Sequence, residues 1–457
     1  MLFTMRCLVP LPNPIRGPSS ALRLPRGRSS TVLALLAGLC IALPRPVGAQ
    51  GAGAPRLATQ AFGPFPCGPS ERDLTACLVT VGPGDAVWER FGHSLLWIHD
   101  PEEGTDVAYN YGLFSFEQEH FILRFIMGEM RYAMAGFDAH QELASYRSQN
   151  RSIEIQELSL GPERVKRLER FLEWNALPDH RFYDYRYFRD NCSTRVRDAM
   201  DSVVGGQLGR WARSRMTDAS YRDHVLRLSR GLFWASIGMD FGLGPSVDKP
   251  LTAWQAMFVP MEMAKELRSF TVTTEAGDTV PFVRTDTMSF RSTRPPVPDT
   301  TPRWIGSFAL AGLLLTTLIA WLGARAMRGS SASLLWLAVP WLLALGLLGS
   351  LLAFLWAFTG HVDTRWNANL LQASPLHLVL AVLLWPLARK RRWAQKVGRW
   401  IAGAIAVLAC AGALLKVIPV VEQANAEFVC LLLPSNLALA WVAWRMGNRE
   451  TEEGPRA

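Results

Sequence analysis

A chain of 457 residues is long enough for two or three domains. Its net charge of +9 invites a nucleic-acid reading, but Arg6, Arg16, Arg23, Arg26, Arg28 and Arg45 fall among the first 50 residues without a single acid, so most of the excess belongs to one N-terminal segment and no nucleic-acid partner is expected. Seven cysteines are too few for a disulfide scaffold, and a mean hydropathy of +0.10 averages a polar part with a strongly apolar one.

Residues 1–50 have the layout of an export signal: a basic stretch, the apolar run Val32 to Leu43, then small residues at Val47-Gly48-Ala49 where cleavage is expected. Leu39 precedes Cys40, which argues against lipidation there. Residues 51–74 read as a Gly/Pro/Ala-rich linker. Within and just after it, Cys67 and Cys77 are near neighbours in an exported segment and are candidates for a disulfide. Leu78 to Val81, Gly92 to Ile98 and Asp106 to Leu113 alternate as strands. Helical spacing follows over Glu117 to Met130 and Gly161 to Asn175, and a short helix is expected from Cys192 to about Val203, with more helix within 217–236. Glu275-Ala276-Gly277-Asp278 marks a late hairpin, and residues 291–303 are a proline-rich linker.

The character then changes. Five apolar runs, about 304–324, 333–358, 375–388, 399–418 and 427–445, approach the length that a bilayer demands. Arg325 and Arg328 follow the first run. Arg389, Lys390, Arg391, Arg392, Lys396 and Arg399 separate the third from the fourth, and Arg445 and Arg449 follow the fifth. Five crossings put all three basic segments on one side, which is then cytoplasmic. The sequence therefore predicts a cytoplasmic-membrane protein with an extracytoplasmic domain over 75–290, a five-helix membrane domain over 304–446 and a cytoplasmic tail over 447–457.

Two segments of the extracytoplasmic domain carry candidate chemistry. In Arg90-Phe91-Gly92-His93-Ser94 a histidine enters a strand, and in Tyr187-Phe188-Arg189-Asp190-Asn191-Cys192 a polar and aromatic lead delivers a cysteine to a helix start. A helix N-terminus and a neighbouring imidazole both favour the thiolate that a cysteine nucleophile requires. Cys192 is therefore the candidate nucleophile and His93 the candidate base. Asn110, on the following strand, is the first candidate to orient the ring, with Asp106 and Asp100 behind it. Asn191 or the Cys192 backbone N–H is placed to stabilise an oxyanion, and Tyr187 to touch substrate. Phe121, Phe125 and Met127 beside Arg124 form a stripe for which core packing is expected over a lipid-facing role. Among the eight His only His93 and His99 are closely spaced, so neither a metal nor a cofactor is expected.

Phe91-Gly92-His93-Ser94, then Tyr109-Asn110-Tyr111-Gly112, then Asn191-Cys192-Ser193-Thr194 resemble the extracytoplasmic domain of Lnb-type lipoprotein N-acyltransferases. The order is similar, more distantly, to circularly permuted papain-like enzymes such as lecithin:retinol acyltransferase. The resemblance implies an α+β permuted papain-like (NlpC-type) domain followed by an all-α bundle of about five transmembrane helices. It also implies that Cys192 takes an acyl chain from a lipoprotein or phospholipid ester as a thioester, and that His93 then deprotonates the N-terminal amine of a lipoprotein. The polar loop from His361 through Asn367 and Asn369 resembles a loop of the same family, which makes these three candidates for substrate binding. Two other functions fit the same residues: a membrane-anchored cysteine peptidase or amidase acting on envelope peptides, and a non-enzymatic assembly protein. Five spans favour a lipid substrate over the first, and the retention of Cys192 and His93 argues against the second.

Overall fold

The computed structural model describes residues 74–114, 119–418 and 422–448. The expected signal segment, the linker through residue 73 and the tail beyond residue 448 lie outside them. Cys77 is disulfide-bonded, and Cys67, the partner expected for it, lies outside the described residues.

A seven-stranded antiparallel sheet organises the N-terminal half. Its strands are β1 (Thr75–Val81), β2 (His93–Asp100), β3 (Thr105–Leu113), β4 (Arg131–Asp138), β5 (Ile153–Leu158), β6 (Phe182–Asp184) and, after the small hairpin β7 (Thr271–Thr273) and β8 (Thr279–Pro281), β9 (Val283–Phe290). Their order in space is β6-β4-β3-β2-β1-β5-β9. β1 is buried along its whole length because it lies inside the sheet, between β2 and β5, and both of its faces are covered. The helices are α1 (Phe121–Met127), α2 (Ala139–Ser148), α3 (Pro162–Ala176), α4 (Cys192–Val203), α5 (Gln207–Arg213), α6 (Tyr221–Ser229), α7 (Phe233–Gly242), α8 (Ala253–Ala256) and α9 (Pro260–Leu267). Leu143 and Tyr146 of α2 pack with Val79, Leu95 and Trp97 on one face of the sheet. On the other face α3, α4 and α9 supply Leu168, Val196, Met200 and Met263 against Leu78, Leu96 and Tyr111.

The three strands expected before residue 114, the helix at Cys192 and the hairpin around Gly277 are present. β4, α2, β5 and β9 were not anticipated. β9 pairs with β5 across more than a hundred residues of chain, an association that no local pattern encodes.

Five helices are long and apolar enough to cross a membrane: span 1 (Ile305–Arg328), span 2 (Ala332–Phe358), span 3 (Asn369–Ala388), span 4 (Arg392–Val417) and span 5 (Ala426–Gly447). Span 1 alone rises about 36 Å at 1.5 Å per residue, enough for a hydrocarbon core of about 30 Å. The short third run is completed by the turn Asn369–Gln372, which breaks at Ala373-Ser374 before the longer helix begins at Leu376.

The two halves meet through a buried polar joint. Arg222 is enclosed and donates to Asp240 (2.7 Å), to Asp248 (2.5 Å) and to the carbonyls of Leu243 and Gly244 (2.9 and 3.1 Å). The Gly244 N–H donates to Asp363 O in the loop after span 2 (2.8 Å), and Arg189, three residues before Cys192, pairs with the Asp363 carboxylate (2.7 Å). Below them Phe241 meets Phe428 of span 5 edge-on at 5.0 Å. The proline-rich stretch expected as a linker is fastened to the sheet domain: Ser292 donates to Asn150 O (2.6 Å), Arg294 pairs with Asp85, and Arg303 pairs with Asp223 (3.2 Å).

Candidate active site

The start of α4 is set by its own residues. The Asn191 side-chain oxygen accepts from Thr194 N (2.9 Å), and Thr194 Oγ1 accepts from Asn191 N (2.7 Å). This reciprocal cap satisfies two amides and makes Cys192 the first helical residue. The Asn191 amide group donates to Tyr187 O (2.9 Å) and Phe258 O (3.0 Å). Both of its hydrogens are engaged, so Asn191 is a cap and a brace. The expected role as an oxyanion donor does not fit it, and the backbone N–H of Cys192 is left as the candidate from that expectation.

His93 opens β2, and Asn110 lies on β3 opposite Leu95, a diagonal step away on the same face. His93 Nε2 is 2.6 Å from Asn110 Oδ1. The Asn110 amide nitrogen donates to Glu142 (2.8 Å) and to the Tyr146 hydroxyl (3.3 Å), both on α2, which fixes its oxygen as the atom facing the ring. An oxygen can only accept there, so Nε2 carries the proton and Nδ1 keeps the lone pair that a base needs. Glu142 and Tyr146 escaped the sequence reading. The only signal for them is their four-residue spacing on one helix face, which says nothing of what that face meets.

Gly112 explains how the cysteine and the histidine share this corner. The strand bulges between Tyr111 and Leu113, with Gly112 at φ +92°. A Cβ at Gly112 would stand 3.2 Å from Cys192 Cβ, 3.8 Å from His93 Cε1 and 3.9 Å from the Tyr183 hydroxyl. The absent side chain is therefore the space in which the helix start and the ring approach each other. Gly92 does similar work one residue before His93, at φ +77° and closed in by Met261 Sδ and Val81 O.

The electrostatics leave the pair neutral at rest. Burial pushes the Cys192 thiol up to about 11, against the pull of backbone amides of Ser94, Ser193 and Cys192 itself and of the Arg151 charge. Burial lowers His93 to about 4, against its hydrogen bond to Asn110 and with some help from Arg151. Arg151 also escaped the sequence reading. It is buried just before β5, donates from Nε to Gly82 O (2.9 Å), and its Nη2 has no hydrogen-bond partner. A buried cation acting on both groups favours thiolate over imidazolium, the direction a developing negative charge requires.

The remaining expectations divide. Asn367 and Asn369 are buried and fully engaged. Asn367 donates to Phe241 O and Gly242 O (2.8 and 2.9 Å) and accepts from Gln423 (2.9 Å). Asn369 donates to Phe241 O (2.9 Å) and accepts from Asn425 (2.7 Å). Their place is the joint beneath α7, and the expected contact with substrate does not fit them. His361 is half-buried and binds Phe125 O of α1 through Nε2 (3.0 Å), with no hydrogen bond to Cys192 among the described residues. Tyr187 is exposed and set edge-on to Tyr185 at 5.9 Å. Asp106 is held by Trp97 (2.7 Å) and His99 (2.9 Å), and Asp100 accepts from Glu102 N (2.8 Å) in a turn, so neither orients His93. The stripe on α1 is not core: none of its residues is buried. A cavity of about 600 Å³ lined by Arg164, Arg167 and Arg210 lies at the far end of α4 from Cys192.

An α+β domain that gathers a cysteine, a histidine and an asparagine, joined to five apolar spans, defines a multi-pass membrane protein with a large N-terminal domain outside the cytoplasm. Residues 70–223 match the family model of the Lnb N-terminal periplasmic domain, and residues 301–445 match that of the Lnb transmembrane domain. Both halves, in the same order and together about two thirds of the chain, place it in the Lnb family, to which it belongs. No curated protein and no solved structure matches it.

Proposed function

We propose that the protein is a cysteine-dependent acyltransferase that moves a fatty acyl chain from a lipid ester to the N-terminal amine of a lipoprotein. The observation that carries this reading is the Cys192 corner, where a thiol at a helix N-terminus meets an imidazole oriented by Asn110 in a domain fastened to a membrane bundle. The Cys192 proton passes to His93 Nδ1 and the sulfur attacks the ester carbonyl carbon. Charge develops on the carbonyl oxygen, for which backbone N–H groups near Cys192 and the Arg151 cation are the donors at hand. Collapse breaks the ester C–O bond, and the leaving alcohol takes the proton from His93. The acceptor amine then attacks the thioester, His93 takes its proton, and the departing sulfur recovers it as the thiol. Anchoring by five spans confines enzyme and both lipids to one surface, so proximity replaces a search through solution.

The same reading takes the sheet domain as a permuted papain-like arrangement, supported by an antiparallel sheet carrying the histidine ahead of a helix that begins at the cysteine. It places the protein in the cytoplasmic membrane after signal removal, supported by Arg389–Arg392 between spans 3 and 4. A reporter fused after Met446 then reads cytoplasmic, and an extracytoplasmic reading breaks the topology.

Intact-mass analysis after incubation with a diacylated lipopeptide or a phospholipid tests the chemistry. An added acyl mass on Cys192, released by hydroxylamine and absent from Cys192→Ala, is expected. Its absence with both lipids turns the reading away from acyl transfer and towards peptide bonds.

A further inference from the structure

Helix α1 is anomalous. Ile122, Leu123, Phe125 and Ile126 are 73, 57, 47 and 41% exposed, with Arg124 as the only charge among them. Soluble surfaces seldom leave four large apolar side chains within five residues of one short helix bare. The position of the helix supplies the cover. Gly360 N donates to Met127 O (2.7 Å) and His361 binds Phe125 O, so α1 is fastened to the two residues that follow span 2 by a single step. That end of span 2 also carries Phe358 and, across the loop, Trp366, both largely exposed, with Trp366 against Trp356 at 4.9 Å. Exposed aromatic rings at the end of a span mark the membrane–water boundary. Helix α1 is therefore continuous with a lipid-facing surface and lies at its rim, where an arginine beside apolar residues reaches back to water.

From this helix a line of rings runs inward. Phe125 and Phe121 are 6.4 Å apart, Phe121 and Phe114 6.5 Å, Phe114 and Tyr132 5.2 Å, and Tyr132 and Tyr185 4.1 Å. Tyr132 and Tyr185 both lie within electrostatic reach of the Cys192 sulfur and pack on the cluster that contains it. We propose that α1 dips into the outer face of the bilayer and that this line of rings guides a lipid acyl chain from the bilayer to Cys192. The guiding role rests on the acyl-transfer reading, whereas the contact with lipid does not.

Two measurements on the full chain in phosphatidylcholine and phosphatidylglycerol vesicles separate the claims. A photo-crosslinking residue at position 123 is expected to capture phospholipid, detected by mass, and no captured lipid overturns the membrane contact. In a Leu123→Ser variant that also carries Ile122→Ser and Ile126→Ser, the rate of acyl adduct formation on Cys192 from vesicle phospholipid is expected to fall by about 10-fold or more as positioning is lost. Its alkylation by soluble iodoacetamide, mapped to Cys192, stays near the wild-type rate. An unchanged acyl rate overturns the guiding role, and so does a matching fall in alkylation, which would report a damaged site. No adduct from the wild type overturns the acyl-transfer reading and with it the guiding line, while the crosslink still decides where α1 lies.

Discussion

Two clusters of the molecule bury amide and charge together, one at the joint and one at the Cys192 corner, and they differ in what they leave open. At the joint, Asn367 and Asn369 spend their side-chain groups on Phe241 O, Gly242 O, Gln423 and Asn425, and Arg222 binds two carboxylates and the carbonyls of α7's end. At the Cys192 corner the network runs one way, from Glu142 and Tyr146 through Asn110 to His93, and stops at a ring nitrogen with a free lone pair. Arg151 likewise keeps a buried nitrogen without a partner. A network that closes on itself holds parts together, because each buried polar group lost leaves its partner unsatisfied. One that ends on an unspent base or donor is ready for a group it does not yet contain.

The contrast is sharpest for the pair at the end of the chain of bonds. Cys192→Ala is expected to abolish the acyl adduct outright, and His93→Ala to slow it roughly 100- to 10,000-fold, the range of a general base. Both variants should insert in the membrane and retain the thermal unfolding of the wild type within a few degrees. Full activity in either would move the site elsewhere.

Asn110 comes next. Asn110→Ala frees the ring to turn or change tautomer and should slow adduct formation by about 10- to 100-fold. Asn110→Asp is more telling. With His93 held at about 4 by burial, the wild-type rate should fall on the acid side only near pH 4, as the ring takes a proton and ceases to be a base. A carboxylate beside Nε2 stabilises the imidazolium, so the acid limb of the Asn110→Asp profile should move to higher pH. A limb that stays put would mean that Asn110 does not face the base.

Gly112→Ala presses on both partners at once. It combines a strained φ of +92° with a 3.2 Å approach to Cys192 Cβ. Strain of about 1–3 kcal/mol is expected in unfolding, together with slower alkylation and acylation of Cys192. Unchanged alkylation would show that the corner has room which the geometry denies it.

The sequence was legible where local chemistry decides the outcome. Asn191-Cys192-Ser193-Thr194 spells a cap, and the helix begins at Cys192. Apolar length and arginine placement spell the five spans. It was misleading where the same side chain serves two ends. An asparagine that braces a carbonyl and one that orients a base look alike in a string, so Asn110 and Asn367 drew the same attention for different fates. It was silent on Glu142, Tyr146 and Arg151, which reach the site only because α2 folds across the sheet and β5 pairs with β1. The stripe on α1 was read as core because helical spacing records which residues share a face and not what that face meets.

The smallest effect on chemistry should come from the joint, and it is the one that most tests the comparison. Asn367→Ala removes the donors to Phe241 O and Gly242 O and the acceptor for Gln423, the first and last of these bonds buried. Unsatisfied buried groups of this kind cost about 1–3 kcal/mol each before relaxation, so thermal unfolding in detergent should fall clearly. The rate of acyl adduct formation per folded molecule should remain within about 2-fold of the wild type, because the residue orients no reacting atom. A large loss of rate at full folded yield would mean that the joint does more than hold. It would then transmit the position of α7 to the cysteine through Asp363, which accepts from Gly244 N just after α7 and pairs with Arg189, three residues before Cys192.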